Sequence, residues 1–147
     1  MSNKLEFWHH HGGVCVPNLD EAIKWYHDVL GFEFQYKNQI PHAHATFAIV
    51  KNGDLRMEIF EVENAKPLPE DRRTPDLDLQ TIGNKHVSFA VDDIPAFGEE
   101  LKKRGADIVW VKVFPNGKAN IFIRDLAGNL IEFVQAERPT GVVSKLI

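Results

Sequence analysis

The sequence predicts an α+β fold in which a β-α-β-β-β module occurs twice in tandem. Three observations predict it. Apolar residues alternate as in strands or recur as in helices, turn residues separate these segments, and both halves of the chain show the same element order. A length of 147 residues suits one domain, or two small halves of one. We therefore assign residues 1–147 to a single domain.

The first module is predicted over about residues 7–62. Its helix follows a short strand, because Asn18 is a favourable N-cap, Glu21 stands three residues later, and Gly31 can end the helix. A turn with the sequence KNGD joins the last two strands as a hairpin. We expect the helix at residues 19–30 and the strands at 11–16, 32–36, 44–50 and 55–62.

A linker or lid is predicted between the modules at about residues 63–82, because this segment contains three prolines and charges of both signs. The second module follows over about residues 83–136, and a short C-terminal tail ends the chain. We expect its helix at residues 93–104 and its strands at 86–91, 108–114, 120–124 and 130–135.

The repeat aligns His11 with His86 and, after a slip of one residue, Glu58 with Glu132. Because successive side chains of a strand point to opposite faces, the apolar residues of these strands take one face and the four polar residues take the other. For any one of these four residues alone, a position facing solvent is enough to explain a polar side chain. If the two sheets curl toward each other, all four converge, and two histidines with two glutamates suit a divalent metal ion.

Three consecutive histidines stand at the start of the first strand, and strand alternation distinguishes them. His11 is the ligand candidate because of its place in the repeat. His10 is expected to face the helix layer, and His9 either lines the pocket or is solvated. His42 and His44 form a second pair, for which an exposed strand end is favoured over a metal site.

The charge and hydropathy of the chain exclude several classes of partner. A formal net charge of −4 offers no attraction to nucleic acid or to an anionic membrane. No apolar segment approaches the length of a membrane span, and the polar N-terminus does not resemble a secretory signal. The single cysteine, Cys15, excludes an internal disulfide and fits a reducing compartment. We expect a cytoplasmic protein that acts on a small molecule.

Four segments resemble the vicinal oxygen chelate superfamily, which includes glyoxalase I, methylmalonyl-CoA epimerase, extradiol dioxygenases, fosfomycin resistance enzymes and bleomycin-binding proteins. These segments are HHGGVCVPNLDEAIKWYHDVLGFEF, LRMEIFEVE, KHVSFAVDDI and IFIRDLAGNLIEFVQ. The resemblance implies a homodimer in which the modules form a cup-shaped mixed β-sheet. The cup would hold a divalent metal ion (Ni, Co, Zn, Mn or Fe(II)) that chelates two vicinal oxygens of a small-molecule substrate. By position, the metal ligands would be His11, Glu58, His86 and Glu132.

The ligand set ranks the activities of this superfamily. Two histidines and two glutamates resemble glyoxalase I and the related isomerases, lyases and epimerases, in which a displaceable glutamate acts as the base. Glu132 is the first choice for that role and Glu58 the second. An Fe(II) extradiol dioxygenase is the runner-up: those enzymes use two histidines and one carboxylate, so Glu58 would be an extra, obstructing ligand. A non-catalytic drug-binding protein comes third, because such binders generally lack the ligands. Candidates for an apolar wall of the site are Phe60, Trp110, Leu130 and Val134.

Overall fold

The computed structural model describes residues 4–138 in two compact units, one that ends at Ala65 and one that begins at Lys66. Each unit contains its own four-stranded mixed β-sheet and one long helix. The predicted α+β class with two β-α-β-β-β modules is therefore confirmed. The predicted C-terminal tail falls largely outside the described residues.

The first unit has the sheet order β1-β4-β3-β2, in which β1 is parallel to β4 and the other neighbours are antiparallel. The side chain of Asn18 accepts a hydrogen bond from the backbone N–H of Glu21, as the capping pattern predicts. Gly31 ends the helix with a φ of 72°, a conformation that favours glycine. The elements are β1 (Gly12–Cys15), α1 (Leu19–Leu30), β2 (Glu33–Ile40), a 3₁₀ helix (Pro41–Ala43), β3 (Ala45–Asn52) and β4 (Leu55–Val62).

The second unit repeats this arrangement with the sheet order β5-β8-β7-β6, in which β5 is parallel to β8. Asp93 caps its long helix by accepting from the N–H of Ala96. The elements are a 3₁₀ helix (Glu70–Arg73), α2 (Pro75–Asp78), β5 (Val87–Val91), α3 (Ile94–Lys103), β6 (Asp107–Val113), β7 (Ala119–Arg124) and β8 (Leu130–Gln135).

Two equivalent hydrogen bonds show how closely the units repeat. In the first, Oε1 of Glu61 accepts from the backbone N–H of Leu19 at 3.0 Å. In the second, Oε1 of Gln135 accepts from the backbone N–H of Ile94 at 3.0 Å. In each long helix, one N-terminal N–H group that would otherwise be unpaired donates to a side chain near the C-terminal end of the neighbouring strand.

Each sheet presents an apolar face to its helix. Tyr26, Met57 and Ile59 are essentially inaccessible to solvent in the first unit, as are Ile94 and Ile131 in the second. Burying a side chain of this size stabilises a fold by about 1.5–3 kcal/mol, so these faces hold each unit together. Within residues 4–138, no helix is long and apolar enough to cross a membrane.

The segment predicted as a linker or lid packs on the second unit. Asp78 is buried, with its Oδ1 3.1 Å from Nε of Arg72 and 3.5 Å from Nζ of Lys85. Arg124, in β7, donates from Nε to the backbone carbonyl of Arg73 at 2.7 Å. These contacts fix the segment to the strands of its own unit, so it is a structured part of that unit.

Candidate functional site

Two of the four predicted ligands lie together in the first unit. Glu58 is in the middle of β4, where it pairs with Gly13 of β1, and alternation turns it away from the buried Met57 and Ile59. His11 stands directly before β1, and its Nε2 lies 3.1 Å from Oε2 of Glu58. The carboxylate is 19% exposed and the imidazole 37%, so a small molecule can reach both.

The second pair has the same arrangement in the second unit. Glu132 is in β8, paired with Ser88 of β5, and His86 stands directly before β5. Nε2 of His86 lies 3.6 Å from Oε1 of Glu132, and the side chains are 26% and 16% exposed. The rings of His86 and Phe122 form a T-shaped pair with centroids 4.8 Å apart, which restricts the orientation of the imidazole.

Each unit thus brings together one imidazole nitrogen and one carboxylate oxygen, a donor combination that binds Zn, Ni, Co or Fe(II). The structure places His11 beside Glu58 and His86 beside Glu132. Within residues 4–138, no three side chains of the His, Cys, Asp or Glu type form a ready metal-binding group. A four-ligand site made from both pairs therefore stays a prediction.

The expectation that His10 faces the helix layer is wrong. Strand β1 begins at Gly12, so the alternation of the strand does not extend back to the histidines, and His10 is exposed. Its Nδ1 lies 2.7 Å from Nδ1 of His11, the ring nitrogen that does not face Glu58. His9 is exposed as well. His10 is thus a direct neighbour of the ligand candidate.

His42 and His44 lie at the short 3₁₀ helix that precedes β3. His42 is within that helix, and His44 ends it with a φ of 50°. Both are exposed, as expected for a solvent-facing strand end.

Sequence reasoning missed a hydrogen-bonded chain that ends on Glu132. Ser88 donates from Oγ to Oε1 of Glu132 at 2.8 Å, and Asn120 donates from Nδ2 to Oε2 at 3.1 Å. Trp110, expected as an apolar wall, donates from its indole Nε1 to Oδ1 of Asn120 at 3.1 Å. The available signal was an asparagine next to the apolar residues 121–123 of strand Ala119–Arg124, where an amide needs a partner.

Two pKa values are clearly shifted on the exposed surface of α1, which is not the candidate site. A hydrogen bond that His27 donates to the carboxylate of Asp28, followed by the charge of Glu33, raises the pKa of His27 above its usual value. Hydrogen bonds from Lys24 and His27 lower the pKa of Asp28. These side chains are part of a solvated charge cluster at the end of α1.

A family model and known proteins each match most of the chain. A family model described as "Glyoxalase/Bleomycin resistance protein/Dioxygenase superfamily" matches residues 10–123. The chain is 32% identical over 132 residues to the mitochondrial methylmalonyl-CoA epimerase of Mus musculus, covering 86% of this chain and 71% of that protein. It is 28% identical over 129 residues to a lactoylglutathione lyase of Neisseria meningitidis, covering 85% of this chain and 88% of that one.

A solved structure shows the same fold. The crystal structure of a glyoxalase family protein from Enterococcus faecalis superimposes with a TM-score of 0.73 at 23% identity. The superposition covers 87% of this chain and 97% of that one. At this identity the likeness concerns the fold.

Proposed function

The chain belongs to the glyoxalase/bleomycin resistance protein/dioxygenase superfamily, and from that membership we propose a divalent-metal-dependent enzyme of the lyase, isomerase or epimerase type. Its substrate would be a small molecule with vicinal oxygens, and its reaction a proton transfer beside a carbonyl. The observation that supports this most is the presence, in both units, of a histidine and a glutamate at equivalent positions. The names of the relatives, an epimerase and a lyase, agree with it.

The ligands we propose for the metal are His11, Glu58, His86 and Glu132. Neutral imidazoles and carboxylates are the donors that Ni, Co, Zn, Mn and Fe(II) accept, and the partial exposure of all four side chains leaves them accessible. When bound, the metal would withdraw electrons from the substrate carbonyl and so acidify the adjacent C–H group.

The residues of the chain then have defined tasks. The carboxylate of Glu132, our first choice, takes the proton from the carbon next to the carbonyl and later returns it. Glu58 provides a second carboxylate, which an epimerase needs when the proton is returned to the opposite face. The apolar ring of Phe60, next but one to Glu58 in β4, would shield the carboxylate from water.

The test is solvent deuterium exchange after metal analysis. Protein purified without chelator is incubated in D₂O with methylmalonyl-CoA and, separately, with lactoylglutathione. We expect deuterium next to the carbonyl of at least one of them, and none after the metal is stripped. Consumption of O₂ with a catechol and no deuterium incorporation would replace this function with ring cleavage by an Fe(II) dioxygenase. Tight binding of bleomycin without any turnover would replace it with drug binding.

We also propose that the protein is a cytoplasmic homodimer. The chain has a single cysteine, Cys15, and therefore no internal disulfide, which suits a reducing compartment. A two-fold symmetric assembly is the commonest for soluble oligomers. Light scattering at micromolar concentration should give the mass of two chains, and the mass of one chain would contradict the dimer.

A further inference from the structure

The two glutamates of the repeat have different surroundings. In the second unit, Phe122 is the β7 partner of Glu132. In the first unit, Ile49 is the β3 partner of Glu58. The same register makes three further positions equivalent, and there the second unit has Trp110, Asn120 and Ser88 where the first has Tyr36, Phe47 and Gly13.

The two groups that donate to Glu132, Ser88 and Asn120, therefore have no donor at the equivalent positions beside Glu58. Phe47 packs on Phe60 with the ring centroids 6.2 Å apart, and Gly13 has no side chain to offer Glu58. Within residues 4–138, the polar partner that the structure places on the Glu58 carboxylate is His11. The carboxylate of Glu132, in contrast, has a donor on each oxygen.

The indole of Trp110 decides which way the amide of Asn120 points. An indole N–H can only donate, so the atom of Asn120 that faces it must be the carbonyl oxygen Oδ1. The amino group of Asn120 is then turned to Glu132, where it occupies Oε2. The other oxygen, Oε1, is the one on the side of His86, 3.6 Å from its Nε2.

We propose that Asn120, oriented by Trp110, is a positioning residue that directs one oxygen of residue 132 to the metal. The inference rests on the function proposed above, because it requires Glu132 to be a ligand. It makes Glu132 the preorganised carboxylate of the site, whereas Glu58 is held by His11 alone among the described residues. The polarity of the hydrogen bonds, and not only the shape of the side chains, determines which atom faces His86.

This polarity has a consequence for the variant Glu132→Gln. The amino group of Asn120 requires an acceptor, so the amide oxygen of the new glutamine must face it. The amide nitrogen then takes the place of Oε1, next to Ser88 and His86, where it can donate to Oγ of Ser88 but cannot ligate a metal. Glu132→Gln therefore loses metal affinity although glutamine has an oxygen to offer.

A second substitution should reverse the effect. In Glu132→Gln with Asn120→Asp, one oxygen of the aspartate accepts from the indole of Trp110, and the other accepts from the amide nitrogen of the glutamine. The glutamine oxygen is then turned to His86. Because the charge has only moved from position 132 to position 120, the net charge of the pair is unchanged.

The experiment measures the Co²⁺ affinity of metal-free protein by competition with a chromophoric chelator, together with the visible absorption of the bound Co²⁺. We expect Asn120→Asp alone to weaken Co²⁺ binding by about 10–100-fold, as is usual when a partner of a metal ligand is lost. Glu132→Gln should weaken it further. The double variant should bind Co²⁺ about tenfold or more tightly than Glu132→Gln, with the absorption of the wild-type complex largely restored.

The control is Asn116→Asp, which adds the same charge in the exposed β6–β7 turn of the same unit. Its side-chain oxygen can still accept from the N–H of Lys118, so wild-type affinity is expected. Trp110→Phe combined with Glu132→Gln is an independent check. Without the indole donor, Asn120 is free to turn its carbonyl to the glutamine, and Co²⁺ affinity should again rise above that of Glu132→Gln.

The outcomes separate the inference from the proposed function. Wild-type protein that binds no Co²⁺ overturns both. Wild-type protein that binds Co²⁺, with natively folded variants in which neither double substitution improves on Glu132→Gln, overturns the inference alone. Wild-type affinity in Glu132→Gln would also overturn it.

Discussion

Nδ1 of His10 lies 2.7 Å from Nδ1 of His11, on the opposite side of the His11 ring from Glu58. A hydrogen bond between two ring nitrogens needs one donor and one acceptor, so His10 influences which nitrogen of His11 carries the proton. Partners of this kind orient the ligand ring and favour the tautomer that presents the other nitrogen to a metal.

The first prediction follows from that contact. His10→Ala should weaken divalent metal binding by about tenfold, because His11 loses the group that orients its ring. His9→Ala, which changes an exposed histidine one residue further from the strand, is the control and should leave affinity unchanged. Equal affinities of the two variants, measured by chelator competition, would mean that the His10 contact does not orient the ligand.

The second prediction concerns the segment before β5. Asp78→Ala should destabilise the protein by about 1–3 kcal/mol, because Lys85 and Arg72 lose the buried acceptor that they share. It should also speed proteolytic cleavage within residues 66–85. Asp76→Ala, an exposed position in the same short helix, is the matched control. Unchanged cleavage in Asp78→Ala would show that the segment is not held by this cluster.

The third prediction tests the repeat in energetic terms. Glu61→Ala and Gln135→Ala should each lower the free energy of unfolding by about 0.5–2 kcal/mol, since each removes the acceptor for a helix N-terminal N–H. Both variants should lose stability because the hydrogen bonds are equivalent in position, and the loss should be somewhat larger for Glu61→Ala because its acceptor is charged. Urea denaturation measures both. A loss in one variant and none in the other would mean that only one of the two bonds contributes to stability.

The fourth prediction separates the two glutamates in chemistry. At saturating metal, Glu132→Gln should lower the rate of deuterium incorporation by on the order of 10²–10⁴, the usual cost of removing a general base. Glu58→Gln should lower this rate by a smaller factor if Glu58 is only a ligand. A larger loss of rate in Glu58→Gln would make Glu58 the base and Glu132 only a ligand. The smaller number of hydrogen bonds on Glu58 would then explain why it is the one that moves to take the proton.

Strands with a buried face were the easiest to predict from the sequence. The bounds of β4 and β8 match the expected ranges, because alternation between buried and partly exposed positions is strong there. Strand β2 extends to Ile40, past the predicted end, since it is an edge strand whose exposed positions need no apolar residues. Helix α2 was missed because the contacts that hold it come from residues outside it, chiefly Arg72 and Lys85.

One part of the candidate site could also be predicted from the sequence, and another part could not. The His–Glu pairs could be found because the repeat places the histidines directly before equivalent strands and the glutamates at equivalent positions within strands. The chain from Trp110 through Asn120 to Glu132 could not, because it depends on how three strands are aligned. The register of β6 against β7 shifts between Ile108 and Trp110, and sequence alternation does not reveal a shift of that kind.

The central proposal is that His11, Glu58, His86 and Glu132 are metal ligands, and metal analysis of protein purified without chelator tests it most directly. We expect about one divalent metal ion per chain in the wild type, and nearly none in a protein with both His11→Ala and His86→Ala, because the imidazoles supply much of the affinity. A variant with His42→Ala and His44→Ala should keep its metal. Full metal occupancy in the His11→Ala, His86→Ala protein would contradict the account.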